Sequence, residues 1–208
     1  FSGLSPMSKV VRQRIITSRA WMTQRCVVVS SVFGRLHPML SESELEQAVC
    51  AIAVNETHDP IALAERLQAV GYQPTAMPER PGELLLRGDT MIVWPNGAQA
   101  PARISFFDDE VDGIELKQNE QWVPAEALTL LPARELFTGE EQLKALSKGL
   151  HSYVRSQGGT GRELRRRILS NLSSGLWLPG VEDYLPYTTQ LVNIEGATTL
   201  LNSPRCLG

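Results

Sequence analysis

The stretch Ala102-Arg103-Ile104-Ser105-Phe106-Phe107 alternates between two kinds of residue and decides how the fold is interpreted. Successive side chains of a β-strand point to opposite faces of its sheet. The apolar set predicts the buried face and consists of Ala102, Ile104 and Phe106. The opposite face then carries Arg103, Ser105 and Phe107. The stretch therefore predicts a two-faced strand with a large aromatic side chain on its outward side.

The outward side of this strand has the composition of a protein interface. An arginine beside an exposed aromatic residue is typical of interface hot spots, whereas core packing gives no reason to place Phe107 in solvent. Arg87 lies on the preceding predicted strand, and we expect it within cross-strand reach of Arg103. The alternative is that a neighbouring helix covers this face. The pattern alone leaves both interpretations open.

Sequence on both sides of this strand continues the period of two. Strands are predicted at 84–94 (as one strand or a bent pair), at 111–117 and at least once within 121–131. Asn96-Gly97 is a strong turn signal between them. With one helix before it, this pattern predicts an antiparallel meander. We expect an α+β docking domain at residues 49–133.

Helical spacing dominates the flanks. Asp59-Pro60 starts a helix that Gly71 ends, and Ser41 with Glu44 predicts a capping box for a short helix at Glu42–Ala48. Further helices are predicted from Ser8 to about Gln24 and at 140–153 and 162–172, with a buried strand at Cys26–Val29 and another at Cys50–Val54. A helix followed by a buried strand favours a fragment of an α/β layer at the start of the chain.

The composition argues against several classes of protein. The 208 residues carry a net charge of -3, which gives no basic excess for coating nucleic acid. No apolar run approaches the roughly 18 residues that a membrane span needs. Three scattered cysteines, Cys26, Cys50 and Cys206, predict reduced thiols in a cytoplasmic protein. Because the chain opens with Phe1 in loop-like sequence, we expect it to be a piece of a longer protein.

The sequence shows no convergent catalytic set. His37, His58 and His151 lie in no metal-binding or nucleophile motif. The run Gly158-Gly159-Thr160-Gly161-Arg162 lacks the preceding buried strand and the lysine of a phosphate-binding loop, so we interpret it as a flexible connection. We therefore predict no catalytic residue, no metal and no cofactor in this chain.

A helical run of arginines is the remaining charged feature. Arg162, Arg165, Arg166 and Arg167 predict a basic face on one helix. Such a face is either a solvated surface or a contact with nucleic-acid phosphates or with an acidic neighbouring domain. The candidates for that contact are Arg162, Arg165 and Arg166.

Two segments of the strand-rich region resemble a known module. They are Arg87-Gly88-Asp89-Thr90-Met91-Ile92-Val93-Trp94-Pro95 and Ala102-Arg103-Ile104-Ser105-Phe106-Phe107-Asp108-Asp109-Glu110-Val111-Asp112-Gly113-Ile114. Both resemble the UvrB-homology module, which occurs in the bacterial repair protein UvrB and in the transcription-repair coupling factor, Mfd. Leu130–Glu135 resembles the segment that closes the module, and Leu4–Pro6 an earlier part of the family's first domain. Leu178–Pro186 resembles the coupling-factor pattern, which favours that branch.

The resemblance implies a fold and a partner. It implies two parts of a degenerate RecA-like domain, at 1–48 and 134–208, flanking a docking domain that binds the repair protein UvrA. The positions that match the family's UvrA contacts are Arg87, Arg103 and Phe107. In the family, a C-terminal domain masks this surface in the resting full-length protein. The parent would be an ATP-driven DNA translocase that displaces stalled RNA polymerase, with its motor and its polymerase-binding parts outside this chain.

Three alternatives to a coupling-factor fragment stay open. The first is a fragment of UvrB, within an excision nuclease complex. The second is a nucleic-acid-binding module that uses the basic helix at 162–167. The third is a hydrolase whose site is assembled from scattered residues.

Overall fold

The computed structural model describes residues 8–28, 40–157, 159–176 and 181. The chain divides into two compact units, one formed by residues 1–45 and 135–208 and the other by Glu46–Arg134. We call them the flanking unit and the central unit. The motif at Leu4–Pro6, residue Val29 and all of Leu178–Pro186 except Val181 lie outside the described residues.

The described residues form five helices and eight strands. The helices are α1 (Ser8–Thr23), α2 (Glu42–Ala48), α3 (Pro60–Ala69), α4 (Glu140–Gln157) and α5 (Gly159–Ser173). The strands are β1 (Cys50–Ala53), β2 (Gln73–Pro74), β3 (Glu83–Arg87), β4 (Thr90–Val93), β5 (Ala102–Phe107), β6 (Glu110–Gln118), β7 (Gln121–Ala125) and β8 (Ala127–Leu130).

The central unit is built on a six-stranded sheet in the order β2-β3-β4-β5-β6-β7. From β3 to β7 each strand pairs antiparallel with the next along the chain, whereas β2 pairs with β3 in parallel. β8 leaves this sheet and pairs with β1 in a separate two-stranded sheet. The predicted α+β fold and its antiparallel meander are confirmed for this unit.

The region at 84–94 is a bent pair of strands rather than one strand. β3 and β4 meet at a turn where Gly88 has a φ of 61°, which a glycine adopts at little cost. β4 therefore lies between β3 and β5 in the sheet. The expectation that Arg87 is on the strand next to Arg103 is wrong, because this intervening strand separates them by two inter-strand spacings, about 10 Å.

One face of the sheet forms the core of the central unit. The buried cluster joins the inward residues of β3 to β6 with Leu63, Ala64 and Leu67 of α3 and with residues of β1 and β8. Within β5 the buried residues are Ala102, Ile104 and Phe106, as the alternation predicts. The helix and the small sheet thus pack on the inner face of the large sheet.

Helix α3 begins and ends as its sequence predicts. The Asp59 side chain accepts hydrogen bonds from the backbone N–H groups of Ile61 (2.8 Å) and Ala62 (3.2 Å), and Pro60 occupies the first turn. Gly71 follows the helix with a φ of 100°. A Cβ atom there would lie 2.6 Å from Cγ of Arg134, so the chain passes through a space that only glycine fits.

A buried network of hydrogen bonds joins three segments of the central unit. The Tyr72 hydroxyl donates to the carbonyl of Leu131 (2.8 Å) and accepts from the backbone N–H of Asn96 (3.3 Å). The Asn96 side chain donates to the carbonyl of Pro132 (2.7 Å). Burial raises the pKa of the Tyr72 hydroxyl, so it stays protonated and keeps donating. The network joins the end of α3, the turn at Asn96 and the segment after β8.

The flanking unit is helical over the residues described. Helices α4 and α5 pack through Leu146 and Leu150 against Ile168 and Leu172. In α1 the buried residues recur at helical spacing as Val11, Ile15 and Met22, and Arg14 forms an ion pair with the buried Glu135 at 3.1 Å. Because the part of this unit that the structure describes contains no strand, its RecA-like character stays a prediction.

Two predictions about local structure have different outcomes. The capping box of α2 is confirmed: the Ser41 N–H donates to the Glu44 carboxylate (2.9 Å), and the Glu44 N–H donates to Oγ of Ser41 (3.3 Å). The strand at Cys26–Val29 is wrong over its described part, where residues 26–28 form no strand and Val27 is 92% exposed. A short apolar run becomes a buried strand only where neighbouring strands take up its backbone hydrogen bonds.

Of the helices described, none combines the length and the apolarity that crossing a membrane requires.

Candidate docking surface on the outer face of the sheet

The outer face is the side of the six-stranded sheet that points away from the core of the central unit. Strand alternation and register place its residues in rows across the sheet. One row contains Leu85, Ile92, Arg103, Glu115 and Pro124. A second row, on one side of the first, contains Arg87, Thr90, Ser105 and Gly113. Lys117 and Trp122 pair with each other on the other side of the first row. This surface mixes aliphatic, aromatic and charged side chains, which is the composition of an interface.

Phe107 is the most exposed large apolar residue of this strand, with 74% of its surface accessible. It is the last residue of β5, directly before the turn at Asp108-Asp109, where Asp108 has a φ of 52°. The His58 N–H donates to the Asp109 carbonyl at 2.6 Å, which ties the tip of this hairpin to the loop before α3. The exposed aromatic ring is therefore carried on an anchored hairpin.

The loop that anchors the hairpin is itself held by Glu56. The Glu56 carboxylate accepts from the backbone N–H of Ala53 (2.8 Å) and lies 3.2 Å from Nε2 of His58. The Ala53 hydrogen bond, then that of His58, lowers the pKa of Glu56. In addition, the Val111 N–H donates to the Glu56 carbonyl at 2.9 Å, so the loop and the hairpin share backbone hydrogen bonds.

Arg103 lies in the centre of the outer face and has two partners there. Its Nε and Nη2 atoms lie 2.6 and 2.5 Å from Oε2 of Glu115, the directly opposite residue on β6. Its guanidinium group also lies over the ring of Trp122 on β7, 4.8 Å from the ring centre. A cation over an indole ring gains about 0.5–1 kcal/mol at an exposed site. The free protein thus holds Arg103 in one place.

Arg87 is exposed at the end of β3 and differs from Arg103 in its surroundings. Among the described residues, its side chain has no ion pair and no hydrogen bond. Lys117, the third basic residue of the outer face, pairs with Glu120 at 2.7 Å. Arg87 is therefore the outer-face cation whose charge the described residues do not neutralise.

The predicted basic helix face is only partly exposed. Arg165 donates through Nε to the Ser147 carbonyl (3.1 Å) and through Nη2 to the Ser147 hydroxyl (2.5 Å), so it helps to pack α5 on α4. Its position on the buried stripe with Ile168 and Leu172 explains this, because residues three and seven apart share a helix face. Arg162, Arg166 and Arg167 are exposed, and Arg166 lies 3.3 Å from Glu163. The contact role of Arg162, Arg165 and Arg166 stays a prediction, with Arg165 already hydrogen-bonded to Ser147.

Glu115 and Trp122 are the outer-face residues that the sequence prediction missed. The signal was present in the turn Asn119-Glu120, where φ angles of 46° and 67° make a two-residue hairpin. Such a turn fixes the pairing of the strands on both sides and puts Trp122 opposite Lys117. Alternation from Ile114 then puts Glu115 outward beside Arg103. No group of three or more acidic, histidine or cysteine side chains suited to a metal ion occurs in the part of the chain that the structure describes.

Comparison with known proteins shows which family the central unit is similar to. Residues 50–136, almost the whole of this unit, match the family model described as the UvrB interaction domain. The resemblance to the UvrB-homology module is thereby confirmed. The family model describes a docking module rather than a catalytic one.

Two kinds of curated protein are similar to the chain. UvrABC system protein B of Thermotoga petrophila is 30% identical over 190 residues, which is 84% of this chain and 29% of that protein. The transcription-repair-coupling factor of Bacillus subtilis is 37% identical over 101 residues, 47% of this chain and 9% of the relative. The coupling factor of Escherichia coli is 25% identical over 193 residues, 89% of this chain and 16% of the relative. The chain thus spans less than a third of the length of each of these relatives.

Proposed function

We propose that the central unit docks the repair protein UvrA in nucleotide excision repair, through the outer face of its sheet. The observation that carries the proposal is the exposure of Phe107 on an anchored strand whose outward face also carries Arg103. An isolated protein gains nothing from keeping a phenylalanine in water on a rigid hairpin, whereas a partner gains apolar contact from it. The match to the UvrB interaction domain supports UvrA as that partner.

The outer face offers a partner one ionic contact and one apolar contact. Arg87 offers an exposed guanidinium to an acidic group of the partner, and a bidentate contact to a carboxylate is the strongest contact it can make. Phe107 offers an apolar anchor at the end of β5, two residues beyond Ser105, which shares a row with Arg87. Docking of this kind requires no catalytic residue and no cofactor, so we propose that this chain acts without either.

Calorimetry with purified UvrA tests the docking proposal. We expect the wild-type chain to bind, and Phe107→Ala or Arg87→Ala to weaken binding at least about tenfold, because interface hot spots cost more than about 1–2 kcal/mol on truncation. Failure of the folded wild-type chain to bind UvrA would remove the proposed function. If the wild-type chain binds UvrA and neither substitution changes the affinity, UvrA is still the partner but the outer face is not the docking surface.

Two matched substitutions separate a local effect from a general loss. Ile61 on α3 is 64% exposed and lies off the outer face, so Ile61→Ala removes a similar amount of apolar surface elsewhere. Arg166 on α5 is exposed, so Arg166→Ala removes one positive charge from the flanking unit. Both controls should bind UvrA as tightly as the wild-type chain.

We further propose that the parent protein is a transcription-repair coupling factor, which would bring UvrA to stalled RNA polymerase. The Leu178–Pro186 sequence and the similarity to the Escherichia coli coupling factor over most of the chain support this branch. The similarity to UvrB proteins supports the alternative of a UvrB fragment. The full-length protein decides between them: polymerase displacement driven by ATP is expected of a coupling factor, and a Gly-Lys-Thr or Gly-Lys-Ser loop upstream of this chain would favour UvrB.

Nucleic-acid binding by α5 is a second candidate function. The exposure of Arg162, Arg166 and Arg167 favours it. If it operates, DNA binding should fall steeply with salt and disappear when these three arginines are replaced together by glutamine. Binding of UvrA should be unaffected by the same substitutions.

A further inference from the structure

The surroundings of Arg103 set it apart from an ordinary surface arginine. Both of its hydrogen-bonded nitrogens contact a single oxygen of Glu115, and its guanidinium plane lies over Trp122. Only about a third of the Arg103 side chain and of the Glu115 side chain is exposed, at 35% and 29%. A guanidinium held on two sides, by an ion pair and by a ring, loses most of its rotamer freedom before any partner arrives.

The pairing also changes what Arg103 can offer. A guanidinium has five N–H donors, and the contacts with Glu115 use two of the nitrogens that carry them. The remaining donors and the second carboxylate oxygen of Glu115 form a polar edge whose net charge is zero. Such an edge recognises a partner by direction and shape, and contributes little long-range attraction.

Arg87 has the complementary character. It is exposed, and its charge is not paired within the described residues. Its backbone position lies two strands and two residues from that of Arg103, about 12 Å away. One outer face thus carries a free cation and a neutralised, stacked cation at a fixed separation.

We propose that Glu115 and Trp122 are part of the docking surface, as positioning residues for Arg103. Trp122 and Glu115 hold the guanidinium group of Arg103 in a fixed orientation. The partner stacks on the exposed side of this group and accepts hydrogen bonds from it. Arg87 alone supplies the salt-sensitive attraction. The partner patch then has a carboxylate facing Arg87 and a flat or apolar group with a hydrogen-bond acceptor facing Arg103. The inference rests on the proposed docking of UvrA. It adds Glu115 and Trp122 to the docking surface and gives Arg87 and Arg103 different roles.

A double-mutant cycle between Arg103 and Trp122 tests the positioning role. In calorimetry with UvrA, Trp122→Leu should weaken binding at least about fivefold in the wild-type chain, since stacking contacts of this kind are hot-spot contributions. The same substitution should change affinity less than about twofold when Arg103 is already alanine, because the group that Trp122 positions is gone. An equal loss in both backgrounds, or no loss in either, would overturn the inference.

The ionic-strength dependence of binding tests whether Arg87 and Arg103 have these different roles. Arg87→Ala should flatten the dependence of UvrA affinity on salt, whereas Arg103→Ala should weaken binding and leave that dependence close to wild type. Glu115→Gln, which keeps the shape of the side chain, should steepen it by releasing the charge of Arg103. The opposite pattern, with Arg103→Ala flattening the dependence and Glu115→Gln without effect, would contradict the proposal.

The controls separate failure of this inference from failure of the docking function. Circular dichroism and thermal unfolding should show each variant folded, and Trp122→Phe, which keeps an aromatic plate, should bind better than Trp122→Leu. If the wild-type chain does not bind UvrA at all, the docking function fails. If it binds and needs Phe107 but ignores Trp122 and Glu115, the docking function stands and the positioning role is wrong.

Discussion

At the scale of single residues, the hydroxyl of Tyr72 is a group whose loss should affect stability alone. Tyr72→Phe leaves the Leu131 carbonyl and the Asn96 N–H without their hydrogen bonds to this hydroxyl inside the central unit. An unpaired buried polar group costs about 1–3 kcal/mol, so we expect the free energy of unfolding in urea to fall by that amount. UvrA affinity of the folded variant should not change. An unfolding free energy equal to that of the wild type would show that the network contributes nothing.

The sequence predicted which way the side chains of β5 point better than it predicted which residues they contact. Alternation along β5 was enough to bury Ile104 and to expose Phe107, because period-two geometry is a property of the strand itself. The contacts of Arg103 with Glu115 and Trp122 depend on which strands are neighbours and in which register. A single strand does not contain that information, so the sequence prediction missed these two residues.

Glu83 should make the stability of the chain depend on acid pH. Burial works against its charge, but hydrogen bonds from the backbone of Glu79 and from Arg80 outweigh it and hold the pKa of Glu83 below 4.5. A carboxyl whose pKa is lower folded than unfolded contributes stability above the unfolded pKa, and that contribution is lost as pH falls through the folded pKa.

Glu83→Gln should therefore lower the free energy of unfolding at neutral pH by about 1–2 kcal/mol. The difference in unfolding free energy between variant and wild type should narrow as pH falls through the lowered pKa of the folded wild type, because its carboxyl then becomes protonated. Urea unfolding at a series of pH values measures this. A difference that is constant from pH 7 to pH 3 would mean that the charge of Glu83 does not stabilise the fold.

At the scale of elements, the turn after α3 depends on a single glycine. Gly71→Ala would put a Cβ atom 2.7 Å from Cβ of Arg134 and 2.9 Å from its backbone nitrogen, at a φ of 100°. A strained backbone of this kind costs about 1–3 kcal/mol before the steric clash is added. Gly113→Ala is the matched control, since no atom lies within 4 Å of the added group. In thermal unfolding, the midpoint temperature should fall markedly for Gly71→Ala and change little for Gly113→Ala.

The elements that the sequence predicted share a local cause. Helix α3 has its cap, its proline and its terminal glycine in sequence order, and the meander has its turns between short alternating runs. The strand predicted at Cys26–Val29 had only hydrophobicity in its favour, and the exposure of Val27 in its described part shows that this was not enough. Strand pairing depends on partners far away in the sequence, which an apolar run does not identify.

At the scale of the whole molecule, the central unit should be separable. Residues 46–134 have their own core cluster, and the two-stranded sheet of β1 and β8 brings the ends of this unit together. We expect this fragment to unfold cooperatively by itself, as domains of this size commonly do. Calorimetry should give it the same affinity for UvrA as the 208-residue chain. A fragment that folds but does not bind would assign part of the docking surface to the flanking unit.

Photocrosslinking from position 107 locates the partner on the molecule. Phe107 is replaced by benzoylphenylalanine, which keeps an aromatic ring at the proposed anchor, and Ile61 on α3 is replaced in the same way as the off-surface control. After irradiation with UvrA, we expect a crosslinked product from position 107 and none from position 61. A UvrA complex that forms but crosslinks only from position 61, or from neither position, would contradict docking through the outer face.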